Sequence, residues 1–505
     1  MAETLPLFSS ISDDLHANPK FSLVSSQTSS DSMRTTEAMH AKKNAGRVYT
    51  PDDIVIEILD LAGYLGENIL KRHVIDNSCG DGAFLCKIVE RYCQACNRQN
   101  LKRDLEEFIH GIEIDPDECA KCRARLDSVA ASFGITGVSW DVRCADALTV
   151  SQYDGKMDFV LGNPPYIRVH NLGTSFDSVK SFKFAQEGMT DLYLVFYEIG
   201  LNMLKDHGIL GYITPSSFFN SLAGNVFRRH IVDRNLLVKI ADLGHYQVFE
   251  ATTYTAIVIL EKNRTEKGVK VYNYGGELNF IDKLYTEDFY IDDKFYFSTK
   301  HNLEELKQIL VDRYEKNFEV KNGFATLSDS FFIGDQLTCQ YTIPVIKAST
   351  GKWTRALFPY VNDKLVPYEQ LIQIPALKKH YEQNIDKLKK RSITSPIEWY
   401  GFGRTQGIKD VYKNKYSINS LIRDKNDIKL NHCPSGTGVF SGLYIMTELS
   451  FDELRDLVCT DGFVTYVSLL KKYKSGGYYT FSSHDLKTYL EHSYVCRYGS
   501  SRGLF

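Results

Sequence analysis

The chain has 505 residues, of which 43% are hydrophobic and 24% charged, and its formal net charge is −3 at pH 7. This length exceeds what one hydrophobic core normally serves, so we expect two folded domains. No apolar run is long enough to cross a membrane, and the first residues lack the basic and apolar pattern of a secretion signal. These features exclude a membrane-spanning protein and favour a cytoplasmic one.

Residues 1–45 are polar and rich in serine, and we predict that they form a disordered tail. From residue 46 to residue 265, short apolar runs alternate with longer segments of helical period, which is typical of parallel βαβ units. The predicted strands are residues 73–78, 108–115, 138–146, 157–163, 208–215, 237–244 and 254–262, and the predicted helices are residues 52–64, 83–97, 117–132, 191–206 and 217–232. This pattern predicts a doubly wound α/β sheet, in which ligands bind at the carboxyl ends of the strands.

Eleven cysteines are scattered along the chain, which at this size indicates reduced thiols rather than a disulfide framework. Cys93 with Cys96, and Cys119 with Cys122, have the spacing of a zinc site. Both pairs fall in segments with the pattern of amphipathic helices and without the turn residues of a zinc knuckle. We therefore predict thiols on helix faces and no metal site.

Three acidic residues, Asp76, Glu113 and Asp146, follow three successive predicted strands. A glycine at position 80 lets the backbone approach a ligand where the first strand turns into a helix. Carboxylates along one rim suit a ligand that offers an amine, a ribose diol and an adenine amino group. The alternative is that each acid only caps the helix that follows it. Three acids in order favour the ligand.

The fourth predicted strand ends in Asn163, Pro164, Pro165 and Tyr166. The Asn163 side chain and the Pro164 carbonyl are hydrogen-bond acceptors, and proline restricts the motion of the turn. Two acceptors can hold an exocyclic NH2 group, draw its lone pair out of conjugation and direct it at an electrophile, while Tyr166 stacks on the base. A turn without a catalytic role is the alternative, but the position at this strand end favours catalysis.

After residue 265 the alternation stops, and Tyr and Phe become frequent among short irregular segments. We predict that residues 266–505 form a separate domain of mixed α and β structure. Within it, residues 341–430 carry 17 lysines and arginines against eight aspartates and glutamates, a surplus of nine positive charges. A phosphate backbone is attracted by such a local surplus, although a solvated surface would account for part of it.

In order along the chain, the segments "GRVYTP", "DNSCGDGAF", "GIEIDP", "CADAL" and "NPPY" resemble the motifs of the TaqI-like, gamma-group N6-adenine DNA methyltransferases, which use S-adenosylmethionine. The resemblance covers residues 46–263, and "WYGFGRTQGI" and "YKSGGYYTFSSHDLKTYL" resemble segments of the family's C-terminal domains. It implies a Rossmann-like methyltransferase domain followed by a target-recognition domain that reads DNA.

The resemblance also implies roles for individual residues. The expected contacts are Thr50 with the methionine carboxylate, Asp76 with the methionine moiety, Glu113 with the ribose hydroxyls, Asp146 with the adenine amino group, and Phe196 with the adenine ring. The full implied cofactor-binding set is Thr50, Asp76, Ser78, Gly80, Glu113, Ile114, Asp146, Ala147, Asn163 and Phe196. The implied catalytic set is Asn163, Pro164, Pro165, Tyr166 and Phe249.

Phe249 is expected to stack on the target base opposite Tyr166. The sequence departs from the family at two positions, because Glu250, directly after Phe249, and Asn77, in the first motif, stand where the family frequently has proline.

The expected function is methyl transfer from S-adenosylmethionine to N6 of an adenine in a specific duplex sequence. The adenine must be flipped out of the helix, because N6 is paired and stacked there. We expect a monomeric modification enzyme that protects DNA against a separate restriction endonuclease acting on the same site. About 45 residues precede the methyltransferase motifs, too few for a fused nuclease domain.

Three alternatives stay open from the residues alone. The same Asn-Pro-Pro-Tyr turn could hold the amide of a protein glutamine or the amino group of an RNA adenine. The long C-terminal segment disfavours the glutamine substrate, since reading base edges in a duplex requires added surface. A non-catalytic specificity subunit is disfavoured because the catalytic turn and the cofactor positions are all intact.

Overall fold

The computed structural model describes residues 49–96, 101–168, 179–249, 253–311, 317–335, 338–393 and 397–498. Residues Val48–Phe505 form one compact unit. The tail predicted at residues 1–45, and Glu250, lie outside the described residues.

A nine-stranded sheet is the centre of the fold. Its strands are β1 Val74–Asp76, β2 Ile109–Glu113, β3 Asp141–Cys144, β4 Met157–Gly162, β5 Leu204–Pro215, β6 Leu237–Asp242, β7 Thr255–Glu261, β8 Val269–Tyr274 and β9 Leu278–Leu284. Their order across the sheet is β3-β2-β1-β4-β5-β7-β6-β8-β9. Strands β1 to β5 run parallel, and β7 is antiparallel to both β5 and β6.

The strand order reverses between β1 and β4, which creates a crevice outside their carboxyl ends. We call this edge of the sheet the carboxyl rim; it also includes the end of β6 and the start of the antiparallel β7. The predicted doubly wound α/β sheet is confirmed, and each predicted strand overlaps an observed one. The sheet also extends past residue 265 through β8 and β9.

Helices cover both faces of the sheet. They are α1 Asp52–Ala62, α2 Ala83–Ala95, α3 Leu101–Phe108, α4 Pro116–Ser132, α5 Leu192–Met203 and α6 Asn225–Asp233. The first four share a core with one sheet face, whereas α5 and α6 pack in the core of the other face. Helix α3, a charged helix of eight residues, is not among the predicted helices.

Cys93 lies on α2, and Cys119 and Cys122 lie on α4, all three with buried side chains. The described part of the chain contains no group of three His, Cys, Asp or Glu residues that could hold a metal ion. Of its helices, none is both long enough and apolar enough to cross a bilayer.

Beyond the sheet, the strands are short. They are β10 Tyr290–Ile291, β11 Lys294–Phe295, β12 Glu319–Asn322, β13 Thr342–Lys347, β14 Lys352–Leu357, β15 Tyr360–Val361, β16 Lys364–Leu365, β17 Lys415–Ile418, β18 Leu421–Ile422, β19 Asn431–Cys433, β20 Gly438–Phe440, β21 Leu443–Met446, β22 Tyr473–Lys474 and β23 Tyr478–Thr480. The helices are α7 Thr286–Phe289, α8 Lys300–Val311, α9 Asp329–Phe332, α10 Tyr368–Leu371, α11 Pro375–Lys389, α12 Phe451–Val458, α13 Asp461–Leu469 and α14 Ser483–Tyr498.

This C-terminal part contributes to two large cores. Residues between Phe324 and Phe440, among them Phe332 and Phe402, build a core of their own. Side chains of α8, α12, α13 and α14 instead join the core on the α5 and α6 face of the sheet. The catalytic sheet and the last helices therefore share one hydrophobic interior.

Candidate active site at the carboxyl rim

Asp76 ends β1 with its carboxyl group buried, at 2% exposure. Burial raises its pKa to about 8, although the Ser78 amide donates a hydrogen bond of 3.0 Å to Asp76 Oδ1. Gly162, at the end of β4, leaves the space for this carboxyl, since a Cβ atom there would lie 2.5 Å from Asp76 Oδ1. Gly162 was not predicted as a site residue; its place directly before Asn163 is the signal that could have identified it.

Glu113 ends the neighbouring strand β2, and its carboxylate is fixed by two backbone amides. Gly80 N donates to Glu113 Oε2 and Asp115 N donates to Glu113 Oε1, each over 2.9 Å. Gly80 has φ +51°, and nothing lies within 4 Å of the position that a Cβ would take. The turn after β1 and the end of β2 thus meet at the crevice, as predicted from the strand order.

Asp146 and Ala147 follow β3 on the same rim. Asp146 accepts a hydrogen bond of 2.9 Å from Leu148 N and caps the short 3-10 turn Ala147–Thr149, so this acid makes the contact that the capping alternative predicts. Ile114 is 65% exposed beside Glu113. Phe196 is buried in α5 and shares its core cluster with Ala147.

Asn163 follows β4 and is held from two sides. Its side-chain Nδ2 donates to Thr50 Oγ1 over 3.1 Å, and its backbone carbonyl accepts from Ser78 Oγ over 3.3 Å. Thr50 itself is buried, so the Asn163 amide plane is tied to a fixed partner. The structure therefore brings together three residues that were predicted from separate segments, namely Thr50 of "YTP", Ser78 of the turn after β1 and Asn163 at the end of β4.

Tyr166 is fixed next to Phe249. Its hydroxyl donates to the Ile213 carbonyl over 3.0 Å, and its ring meets Phe249 with centroids 6.0 Å apart and planes at 71°. Tyr193, which was not predicted, also lies edge to face with Tyr166, with ring centroids 6.4 Å apart. The two predicted aromatic rings therefore lie together edge to face.

Asn77, the residue that departs from the family pattern, is buried behind the site. Its Oδ1 accepts a hydrogen bond of 2.9 Å from the Tyr212 hydroxyl on β5. The amide thereby links the β1 turn to β5, a structural role that the sequence alone does not reveal.

The basic segment 341–430 exposes most of its positive charge. Its exposed cations are Lys352, Arg355, Lys364, Lys378, Lys379, Lys387, Lys389, Lys390, Arg404, Lys409, Lys413, Arg423, Lys425 and Lys429. Lys415 is buried and donates to the carbonyls of Asp410, Val411 and Lys413.

Arg391 is also committed to the fold, because its guanidinium donates to the carbonyls of Thr326, Trp399 and Gly401. Lys387, Lys389 and Lys390, at the end of α11, are therefore the members of the "KLKKR" run that can meet a phosphate backbone.

Comparison with known proteins matches residues 55–249 to the family described as Eco57I restriction-modification methylase. The chain is 25% identical to the type II methyltransferase M.BstVI of Geobacillus stearothermophilus, over 72% of this chain and 74% of that protein. It is 22% identical to the type II restriction enzyme and methyltransferase RM.Eco57I of Escherichia coli, over 80% of this chain and 52% of that protein. The chain thus spans only about half of the latter.

Among solved structures, the fold resembles that of the type IIL restriction-modification enzyme MmeI, solved in complex with DNA. The TM-score is 0.58 at 12% sequence identity, and the match covers 86% of this chain and 63% of MmeI. At this identity the likeness concerns the fold alone, and it includes both the sheet and the C-terminal part.

Proposed function

Because residues 55–249 match the Eco57I restriction-modification methylase family, we propose that this chain methylates N6 of adenine in a specific duplex DNA sequence. The observation that carries the proposal is the turn Asn163–Tyr166 at the end of β4. It lies beside the Asp76 and Ser78 turn of β1, and its aromatic ring faces Phe249. A planar amino group bound at this turn would lie next to the crevice between β1 and β4.

S-adenosylmethionine is the cofactor that this rim fits. Asp76 offers a buried acid for the methionine ammonium, Glu113 offers a carboxylate with a fixed orientation for the ribose diol, and the exposed Ile114 offers an apolar surface for the adenine. The open space above Gly80 lets a ligand approach the backbone closely. When bound, the cofactor supplies a methyl group already activated by its sulfonium.

The protein's own part in the chemistry is to hold and polarise the target amine. In our proposal the Asn163 Oδ1 atom and the Pro164 carbonyl accept the two N–H groups, which leaves the nitrogen lone pair directed at the crevice. Thr50 and Ser78 keep Asn163 in place, and Tyr166 with Phe249 binds the flipped base by stacking. Stacking offsets the few kcal/mol that extrusion of the base costs.

Modification methylases usually protect a host sequence against a restriction endonuclease of the same specificity. We propose that this chain is the modification partner, acting as a monomer on host DNA, with a cognate endonuclease encoded separately. Exposed cations of residues 341–430 supply a surface for the duplex backbone.

The test is to express the chain in bacteria without adenine methylation and to sequence their DNA for N6-methyladenine. We expect methylation at one defined sequence. Asn163→Ala should reduce the methylation rate about a hundredfold or more, because a contact of about 3 kcal/mol that forms mainly in the transition state is lost.

Asn302→Ala on α8, which removes an amide hydrogen bond to Ser298 and no residue of the proposed site, is the matched control and should keep the wild-type rate. Adenine left unmodified by the wild-type chain, together with methylation of glutamine in a protein or adenine in RNA, would replace this proposal with one of those substrates.

A further inference from the structure

The hairpin of β22 and β23 packs on the carboxyl rim, although more than two hundred residues separate it from the rim strand β6. Asn220 Nδ2, next to the end of β5, donates to the Leu470 carbonyl over 3.2 Å. The Tyr473 hydroxyl donates to Asp242 Oδ2 at the end of β6 over 2.5 Å. The C-terminal part therefore contacts the rim directly beside the segment that carries Phe249.

Asp242 is the junction of this contact. It is buried, its Oδ1 accepts from Gly244 N over 3.0 Å, and its Oδ2 lies 3.2 Å from Lys471 Nζ as well as against the Tyr473 hydroxyl. Removing one partner of a buried charged group leaves that group partly unsatisfied, which costs free energy. The complete junction therefore holds its members in place. One carboxylate thus ties the start of the Phe249 segment to two residues of the C-terminal part.

His245, one residue past Gly244, is held by packing rather than by hydrogen bonds. Its ring lies edge to face with Tyr473 and Tyr479, at centroid distances of 4.9 and 4.8 Å, and with Tyr254 at 5.8 Å. Its Nε2 atom is buried without a hydrogen-bond partner among the described residues. The hairpin aromatics therefore also fix the segment that follows Asp242.

Phe249 lies at the far end of this same short segment. The segment leaves β6 at Asp242, returns to the sheet at β7, and is closed at its base by the hydrogen bond from Leu243 N to the Thr255 carbonyl. A shift of the Asp242 and His245 end consequently changes where the Phe249 ring stands relative to Tyr166. This matters because the two rings meet edge to face and must separate to admit a base.

We propose that Tyr473 is a positioning residue for methyl transfer, acting through Asp242 and His245 on Phe249, the ring that stacks on the flipped adenine. The assignment rests on the proposed function of the rim. The tip of the hairpin, Lys474 to Gly476, is exposed, so a duplex can touch it while the flipped base lies against Phe249.

The experiment uses the full chain and a duplex that contains its target sequence. In this duplex, 2-aminopurine replaces the target adenine and reports extrusion of the base. Tyr473→Phe removes only the hydroxyl. On the duplex that keeps the target adenine, we expect the single-turnover methylation rate to fall about ten- to hundredfold, as for a displaced reacting group. On the duplex with 2-aminopurine, we expect the extrusion signal to fall as well. Affinities for cofactor and duplex should stay within about twofold of the wild type, because neither ligand touches the hydroxyl.

Tyr466→Phe is the control, since it also removes a buried tyrosine hydroxyl that donates a hydrogen bond, in this case to the backbone carbonyl of Asp485 and from α13. It should lower thermal stability comparably and leave rate and extrusion unchanged. In the Phe249→Ala background, Tyr473→Phe should have no additional effect on the rate, since the ring that it positions is absent.

Two results would overturn the inference while leaving the proposed function intact: full activity of Tyr473→Phe, or effects of Tyr473→Phe and Phe249→Ala that multiply. A wild-type chain that transfers no methyl group to DNA would instead overturn the proposed function itself.

Discussion

Asp76 is a buried acid at the point where a cationic cofactor is proposed to bind. Burial raises its pKa to about 8, so below that pH the carboxyl group of the free protein holds its proton. A bound ammonium group favours the carboxylate, and binding must therefore release a proton. The buried acid makes cofactor affinity depend on pH within the physiological range.

We predict that the affinity for S-adenosylmethionine rises by up to about tenfold per pH unit as the pH approaches 8 from below, and levels off above it. Titration calorimetry at several pH values measures the effect. Asp76→Asn has no proton to release at this position, so it should bind the cofactor weakly and with a flatter dependence of affinity on pH. The pH dependence that remains in this variant measures the titration of the cofactor's own amine. Identical profiles for the two proteins would remove Asp76 from the cofactor site.

Glu113 is predicted to contribute both to the cofactor site and to the turn that forms it. Glu113→Gln keeps the size of the side chain but removes the charge, and one of the two amides from Gly80 and Asp115 loses its acceptor. We expect the free energy of cofactor binding to weaken by about 1.5–3 kcal/mol, because a charge-assisted hydrogen bond is lost.

Asp115→Asn is the control for the Glu113 substitution. Asp115 caps α4 by accepting from Asp117 N and Glu118 N, and asparagine is a comparable cap, so cofactor affinity should be retained. Calorimetric titration of both variants decides the question: equal affinities would place the ribose elsewhere.

At the scale of elements, the end of β4 is shaped by the absence of a side chain. Gly162→Ala would set a Cβ atom 2.5 Å from Asp76 Oδ1 and displace the buried carboxyl. We predict a loss of about 1–3 kcal/mol in the free energy of unfolding, as for other overpacked sites, together with weaker cofactor binding. Denaturant unfolding and calorimetry measure the two effects.

Gly275→Ala, in the β8–β9 turn, is the matched control because nothing lies within 4 Å of its Cβ position and its φ is not positive. It should change neither stability nor binding by a measurable amount. If Gly162→Ala behaved in the same way, the close approach of β1 and β4 would not be what requires glycine.

Sequence pattern predicted the catalytic sheet well and the C-terminal part poorly, for a physical reason. Buried parallel strands read as continuous apolar runs, and their carboxyl ends meet at one rim, so Asp76, Glu113 and Asn163 could be grouped from the sequence alone. Strands such as β15, β16 and β18 have two residues each and carry no periodic signal. The Tyr473–Asp242 hydrogen bond joins residues 231 positions apart, a pairing that no local pattern encodes.

At the scale of the whole molecule, the exposed lysines at the end of α11 are predicted to meet the DNA backbone. Replacing Lys387, Lys389 and Lys390 by Ala should weaken binding to all duplexes alike and lower the log–log salt slope by about 0.9 per lost phosphate contact. Arg391 is kept, because its guanidinium stabilises the fold. Duplex binding at several salt concentrations checks the prediction.

The matched control replaces Lys267, Lys270 and Lys283, three exposed lysines on or beside the strands β8 and β9. The control should keep the wild-type salt slope, while its net charge changes by the same amount as that of the α11 variant. Equal slopes in both triple variants would mean that the effect follows total charge rather than the position of α11.

The hydrophobic interior shared by the sheet and the last helices has a consequence for how the protein is made. The sheet is complete once Leu284 has been synthesised, yet Phe463, Leu486 and Leu490, which cover one of its faces, follow far later in the chain. At bacterial elongation rates of about 5–20 residues per second, that face waits about 10–40 s on the ribosome for its cover. Newly made chains are therefore most exposed to aggregation and proteolysis in this interval, and a chain that ends before α14 leaves this face of the sheet partly uncovered.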